Sequence, residues 1–354
     1  MNRRMGKTAV MAAVLLCLVF LAGCGKDGSG TKVVFTTGTG KDAVFRIDDE
    51  ICKKEELMLY LTNTQNQYES IYGPEIWNTE YEGVTLEENI KDTVLARIAQ
   101  VKTMYMMARA RGVELTEQEQ ERVEEAADTY YGSLNEKEIE LMGVSRDTVC
   151  KLYEEYAMAQ KVYQTIIGAI NPEISDDEAR IITVQHILIK TYSLDQESVK
   201  VPYPADEKRA AYQQAAEVRD LATDGKHDFE ELAVQYSEDA TITYSFGKGE
   251  MDAAFEEAAF ALATGAVSEV VESEAGYHII KCISTFNREE TDANKITIVE
   301  KRRDEAFGQE YDAYVKTLNK QLNEGLLAEI ALIHDSQVTT ADFFQVYEAY
   351  FPAE

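Results

Sequence analysis

Few side chains here suit chemistry. The 354-residue chain holds four histidines and five cysteines. His186 and His278 lie in β-rich runs, Ile181–Lys190 and Tyr277–Thr285. Strand alternation sets His186 on the side of Val184 and Leu188, and His278 on that of Ile280 and Cys282. A histidine among apolar residues is usually a hydrogen-bonded structural residue, and it can also orient or polarise a site. Asp239 closes Tyr236-Ser237-Glu238-Asp239, where a carboxylate caps a turn or faces a reacting group. Met251 and Phe255 stand four apart on a predicted helix, so they share a face as core or as an apolar pocket. Phe246 is a further candidate wall. Cys24, Cys52, Cys150 and Cys282 lack CxxC or metal-ligand spacing, so they are not expected to hold a metal. They read as small buried apolar residues, with a Cys52–Cys150 bridge left open.

These groups need a frame. From Ala43 to about Ile170 the pattern is helical after a short strand, Val44–Ile47. Thr85 with Glu88 and Thr116 with Glu119 read as capping boxes, and Ser145 caps a third helix, stopped at Asn171-Pro172. Ile90, Val94, Ile98 and Val101 recur at helical spacing, as do Val149, Leu152, Tyr156, Ala159, Val162 and Ile166. The strand Ile181–Lys190 then opens a different pattern. A polar loop follows over Tyr192–Pro204, then a helix over Ala205–Thr223 and a short one capped by Asp228. A strand near Thr243–Phe246, a helix over Ala253–Ala263 and strands near Val267–Glu272 and Tyr277–Thr285 complete this segment. Short strands between helices in about 110 residues predict a compact α+β domain. Residues from Asn294 to Leu332 read as one helix with a stripe of Ala306, Tyr311, Tyr314, Val315, Leu318 and Leu322. It is too solitary to fold alone, and its host is the N-terminal helical region. The tail Asp342–Tyr347 is aromatic and docks or binds a partner.

The N-terminus sets the compartment. Arg3, Arg4 and Lys7 precede an apolar run, Ala9–Phe20, too short for a membrane span and typical of a signal peptide. It ends in Leu21-Ala22-Gly23-Cys24, which resembles a bacterial lipobox and implies a lipid on Cys24. Gly25–Lys41, rich in Gly, Ser, Thr and Lys, suits a tether. Cleavage leaves roughly 330 residues, room for two domains. The net charge of −29 grows three units more negative with the leader gone. That argues against nucleic acid and against adhesion to anionic lipid by a basic patch. It could attract basic unfolded clients, or be simply an acidic exported surface.

Three ordered pieces resemble the parvulin family of peptidyl-prolyl isomerases. They are Gln185-His186-Ile187-Leu188-Ile189; Phe229-Glu230-Glu231-Leu232-Ala233 with Tyr236-Ser237-Glu238-Asp239; and Phe246-Gly247-Lys248-Gly249-Glu250-Met251 with Phe255, Phe260 and Gly276-Tyr277-His278-Ile279-Ile280-Lys281. The resemblance implies prolyl cis–trans isomerisation with Met251 and Phe255 as the proline pocket and Phe246 as a wall. It implies His186 and His278 in a supporting network, Asp239 beside the turning amide, and Ser273 as a hydroxyl in that network. Such a reaction breaks no bond and needs no nucleophile, metal or cofactor. It lowers a barrier of roughly 18–20 kcal/mol by binding the twisted amide best. The stretch between Asp239 and Phe246 is shorter than is usual in the family, which leaves catalytic strength open. The loop Thr191–Pro204 holds only Lys200 as a cation, so no preference for phosphate before proline is expected.

The flanks resemble those of PrsA-type foldase lipoproteins and SurA-like chaperones, in Val44-Phe45-Arg46-Ile47-Asp48-Asp49-Glu50, Arg111–Glu119 and Ile174–Glu178. The expected organisation is a signal peptide over 1–23, a tether over 24–42, a helical foldase domain over 43–175, an isomerase domain over 176–287, and a returning helix with tail over 288–354. The fold class is α+β: a parvulin-like domain, a small antiparallel sheet with flanking helices, inserted in a discontinuous helical chaperone-like domain. Two functions follow. One is a membrane-anchored isomerase and foldase acting on unfolded exported proteins with X–Pro bonds. The other is a holdase with a weak or inactive parvulin fold. A solute-binding lipoprotein would need long α/β alternation, which is missing.

Overall fold

A computed structural model describes residues 43–81, 83–196 and 198–352, with the backbone of 36–37. The expected leader, Cys24 and most of the tether lie outside the described residues. The chain forms two compact units, one ending at Ile170 and resuming at Arg303, the other Asn171–Arg302.

The first unit opens with a hairpin, β1 (Ala43–Ile47) and β2 (Glu50–Lys53). Five helices follow: α1 (Lys54–Tyr72), α2 (Leu86–Ala110), α3 (Glu117–Ser133), α4 (Glu136–Met142) and α5 (Arg146–Gly168). Thr85–Glu88 and Thr116–Glu119 form full capping boxes, and Ser145 accepts from the Thr148 N–H. Each cap satisfies donors that the first helical turn leaves unpaired. The apolar stripes of α2 and α5 are buried in one core. That core also holds Lys102, fully buried, whose ammonium lies 2.8 Å from carboxylate oxygens of Glu56 and Glu155. Cys52 is buried and Cys150 half-buried, and both are free, so the bridge left open above is not formed.

The second unit starts with α6 (Asp176–Ala179) and the long strand β3 (Ile182–Lys190). The expected polar loop is instead a hairpin, β4 (Tyr192–Leu194) and β5 (Lys200–Pro202), closed by a turn in which Asp195 Oδ1 accepts from the Val199 N–H. Then come α7 (Ala205–Thr223), α8 (Phe229–Tyr236), β6 (Thr243–Phe246), α9 (Ala253–Ala261), β7 (Val271–Ser273) and β8 (Gly276–Ser284). The sheet is antiparallel in the order β7-β8-β3-β6. Its central strand is covered on both faces. Ile187 and Ile189 pack with α7 and α8, while Ile182 and Val184 pack with Phe246, Phe255 and Ala259. This explains why β3 carries apolar residues on both of its alternating faces.

α10 (Arg288–Val315) passes out of this unit. The second unit reaches Arg302 rather than stopping at Asn287, because Asn294 bonds the Ala179 carbonyl and Lys295 and Arg302 pair with Asp176 and Glu178. The helix expected to reach Leu332 stops at Val315. The chain there forms β9 (Lys320–Leu322), which covers the free edge of β1, and then α11 (Glu324–Ala328). Phe307, not Ala306, joins Tyr311 and Val315 in the buried stripe. The aromatic tail forms α12 (Phe343–Tyr350) and docks in the first unit's own core. Phe343 stacks on Tyr153 at 4.5 Å between ring centres and meets Tyr130 edge-on at 5.1 Å.

Candidate active site

The register of the second sheet brings the two histidines together. His186 on β3 stands opposite Ile280, and His278 on β8 opposite Leu188. Tyr244 on β6 is paired with Val184 and so shares that face. The rings of His186 and His278 stack with centres 5.5 Å apart, and both are buried. Phe255 closes over them from α9, edge-on to each at 5.5 and 5.0 Å.

Hydrogen bonds fix one proton arrangement. His186 Nε2 lies 3.0 Å from the Thr241 carbonyl, which can only accept, so Nε2 carries the proton. In the neutral ring that burial favours, its Nδ1 is an acceptor, 3.2 Å from His278 Nδ1, which then donates. His278 Nε2 is left to accept from the Ser273 hydroxyl at 2.8 Å, and Ser273 Oγ accepts from the Ala275 N–H at 3.0 Å. Both rings are neutral in this chain of bonds. Burial holds both below the ordinary histidine range, and the neighbouring His186 adds to the effect on His278, bringing it to about 4.

Asp239 lies beside the pair, partly open to solvent. Its side chain is 29% exposed and Oδ2 lies 3.4 Å from His186 Nε2. The Thr241 N–H donates to Oδ1 and the Tyr244 hydroxyl to Oδ2, each at 3.1 Å. Partial burial pushes this carboxyl up, but these donors and His186 outweigh it and hold it below the usual carboxylate range. The result is an ionised carboxylate against a neutral imidazole pair. Ser237 anchors the segment, its Oγ accepting from the N–H groups of Leu188 and Asp239.

The apolar part lies on the same face. Phe255 and Phe246 are buried with rings 5.8 Å apart, and half-buried Met251 and Tyr244 pack against their cluster. Met251 is not on the helix. α9 begins at Ala253 behind its cap Asp252, so Met251 meets Phe255 by the turn before the helix rather than by helical spacing. Phe246 lies at the base of the cluster, 1% exposed. The structure thus brings together His186, His278, Asp239, Ser273, Met251, Phe255 and Phe246, while Cys24 is outside the described residues. Among the described residues, no group of three or more His, Cys, Asp or Glu is set to hold a metal ion.

The family description of the PPIC-type peptidyl-prolyl isomerase domain, Rotamase, matches residues 186–284. This segment is a parvulin domain. Its enzyme class is peptidyl-prolyl cis–trans isomerase. Over 79 residues it is 38% identical to peptidyl-prolyl cis-trans isomerase Pin1 of Arabidopsis thaliana, covering 21% of this chain and 66% of that protein. Foldase protein PrsA of Caldanaerobacter subterraneus subsp. tengcongensis is 26% identical over 279 residues, 76% of this chain and 81% of its own. The likeness therefore runs beyond the parvulin domain. A solved PrsA from Bacillus cereus aligns over 76% of this chain and 97% of its own, at 22% identity and a TM-score of 0.37.

Two participants around the parvulin domain's histidines escape a reading by motif. The Thr241 carbonyl sets the tautomers, and Tyr244 ties Asp239 to the apolar cluster. A backbone acceptor has no sequence signature. Tyr244 did have one, because alternation along β6 puts it on the same face as Phe246.

Proposed function

We propose that this chain is a lipid-anchored foldase at the outer face of the cytoplasmic membrane that isomerises X–Pro bonds in exported proteins. The observation that carries the reading is the meeting of an ionised carboxylate, Asp239, with the apolar cluster of Met251, Phe255 and Tyr244 over a neutral histidine pair. On this reading the proline ring seats against Met251 and Phe255, with Phe246 backing them. Asp239 faces the X–Pro amide and disfavours the planar state, in which the carbonyl carries most resonance charge. His186, His278 and Ser273 act as positioning residues, holding the floor rigid and aiming Asp239. No bond breaks, so the whole effect is stronger binding of the twisted amide than of either planar isomer.

The helical unit is read as a cradle for unfolded segments, with the isomerase domain inserted in it. The lipid is assigned to Cys24 in its lipobox-like setting. Among the described residues, no helix is long and apolar enough to cross a membrane.

The test is isomerisation of a proline peptide by the purified chain, with Met251→Ala and Asp239→Ala beside it. Both substitutions should lower the rate by an order of magnitude or more. A wild-type rate equal to buffer sinks the enzyme reading, and delayed aggregation of an unfolded client by that protein would leave a holdase. For the anchor, Cys24→Ala should release the protein from cells into the medium. Continued membrane retention would overturn the lipid assignment.

A further inference from the structure

The segment from Asp239 to Phe246 is short, and it holds one large side chain that touches both halves of the site. Tyr244 is half-buried, packed with Phe246, Phe255, Val184 and Ile182. Its ring stands edge-on to His186 at 5.2 Å. Its hydroxyl donates to Asp239 Oδ2, while the Thr241 N–H holds Oδ1. Both oxygens of the carboxylate are thus fixed, one by backbone and one by Tyr244. The pairing of Tyr244 with Val184 sets its Cα on the rigid sheet, so the phenol is a strut from the sheet to the carboxylate.

We propose that Tyr244 is a positioning and specificity-setting residue of the isomerase site: its hydroxyl holds Asp239 in its working orientation, and its ring supplies a wall of the apolar pocket from within the short segment. This rests on the isomerase reading given above. The titratable groups facing Asp239 are Tyr244 on β6 and His186 on β3, with His278 on β8 behind it; Asp252, at the head of α9, acts on His278, and the adjacent Glu238 accepts from the Lys190 N–H. The phenol is one of the groups that pull the Asp239 carboxyl below its ordinary range. Removing it therefore lets Asp239 bind a proton at higher pH.

The experiment uses the full chain with Tyr244→Phe and Tyr244→Ala. It measures kcat and KM on a proline tetrapeptide across pH, and follows the Asp239 carboxyl by carbon NMR. Tyr244→Phe should lose roughly tenfold in kcat, the size of one net hydrogen bond to a charged group, with KM unchanged. The acid limb of its rate profile and the Asp239 titration should both move to higher pH. Tyr244→Ala should add a several-fold rise in KM as the wall goes. A Tyr244→Phe enzyme with wild-type rate and profile would overturn the positioning role, and a Tyr244→Ala enzyme with unchanged KM would overturn the wall. A wild-type chain no faster than buffer fails the isomerase reading itself, and this proposal with it.

Discussion

Acid should loosen the second unit through one histidine. His278 is 6% exposed and its pKa falls from 6.5 to about 4, by burial first and then by the neighbouring His186. In the unfolded chain the same ring has its ordinary value. Between these values the unfolded state holds the extra proton, so stability is complete above about pH 6.5 and declines as pH falls toward 4. The whole difference amounts to about 3 kcal/mol, a large share of what holds a small domain together. The assay is amide hydrogen exchange of Ile187 and Ile279, which flank the pair, between pH 7 and pH 4, corrected for intrinsic rates. His278→Gln, which keeps a donor and an acceptor but cannot charge, should flatten the slope. The sole tryptophan, Trp77, lies in the first unit and serves as an internal control. A His278 ring titrating near 6.5, or an equal slope in the Gln variant, would refute the reasoning.

Three further outcomes follow from packing. Lys102→Met leaves Glu56 and Glu155 buried with only the half-exposed Lys151 between them, and should cost about 3–5 kcal/mol in denaturant unfolding followed by Trp77 fluorescence. Adding Glu155→Gln should recover part of that. Phe343→Ala removes the ring at the centre of Tyr60, Tyr130 and Tyr153 and should cost about 3–5 kcal/mol by the same measurement, while leaving prolyl isomerisation by the folded fraction unchanged. Gly276 has φ 140°, and a Cβ there would lie 2.2 Å from the Ile189 carbonyl oxygen. Gly276→Ala should therefore pry β8 from β3, with a loss of at least about 2 kcal/mol in the second unit and a lower peptide rate; full activity and unchanged exchange of Ile279 would contradict the close approach.

What the sequence made legible was local. The caps that start α2, α3 and α5 lie within three residues of their partners, as in Thr85–Glu88, so those helix starts could be read directly. The strands carrying His186 and His278 could be read because each holds its own apolar pattern, and alternation then fixed the shared face. What stayed hidden depends on partners far along the chain. The end of α10 is set by β1, since Asn319 and Asp48 bond each other and β9 pairs with β1. The role of the aromatic tail is set by Tyr60, Tyr130 and Tyr153, which no spacing links to Phe343. Met251 is the converse case: its spacing of four from Phe255 suits a helix, yet it precedes the cap Asp252.

The depressed histidines also bear on why the site is built without a charged imidazole. Rotation about an X–Pro bond moves no proton between atoms, so a titrating base has nothing to transfer. What the proposed mechanism needs is the field of Asp239 at the amide. His186 Nε2 lies 3.4 Å from Oδ2 of that carboxylate. A protonated imidazole there would offset the carboxylate's charge, an interaction on the order of 4 kcal/mol at an effective dielectric of about 20. Burying the pair and tying it to the Thr241 carbonyl keeps His186 a neutral donor, which steadies Asp239 without cancelling it. The same arrangement predicts that making His186 a permanent cation mimic is worse than removing its ring nitrogens. His186→Lys should lose more peptide rate than His186→Phe, once both are corrected for folded fraction. Equal losses would show that His186 serves only as packing.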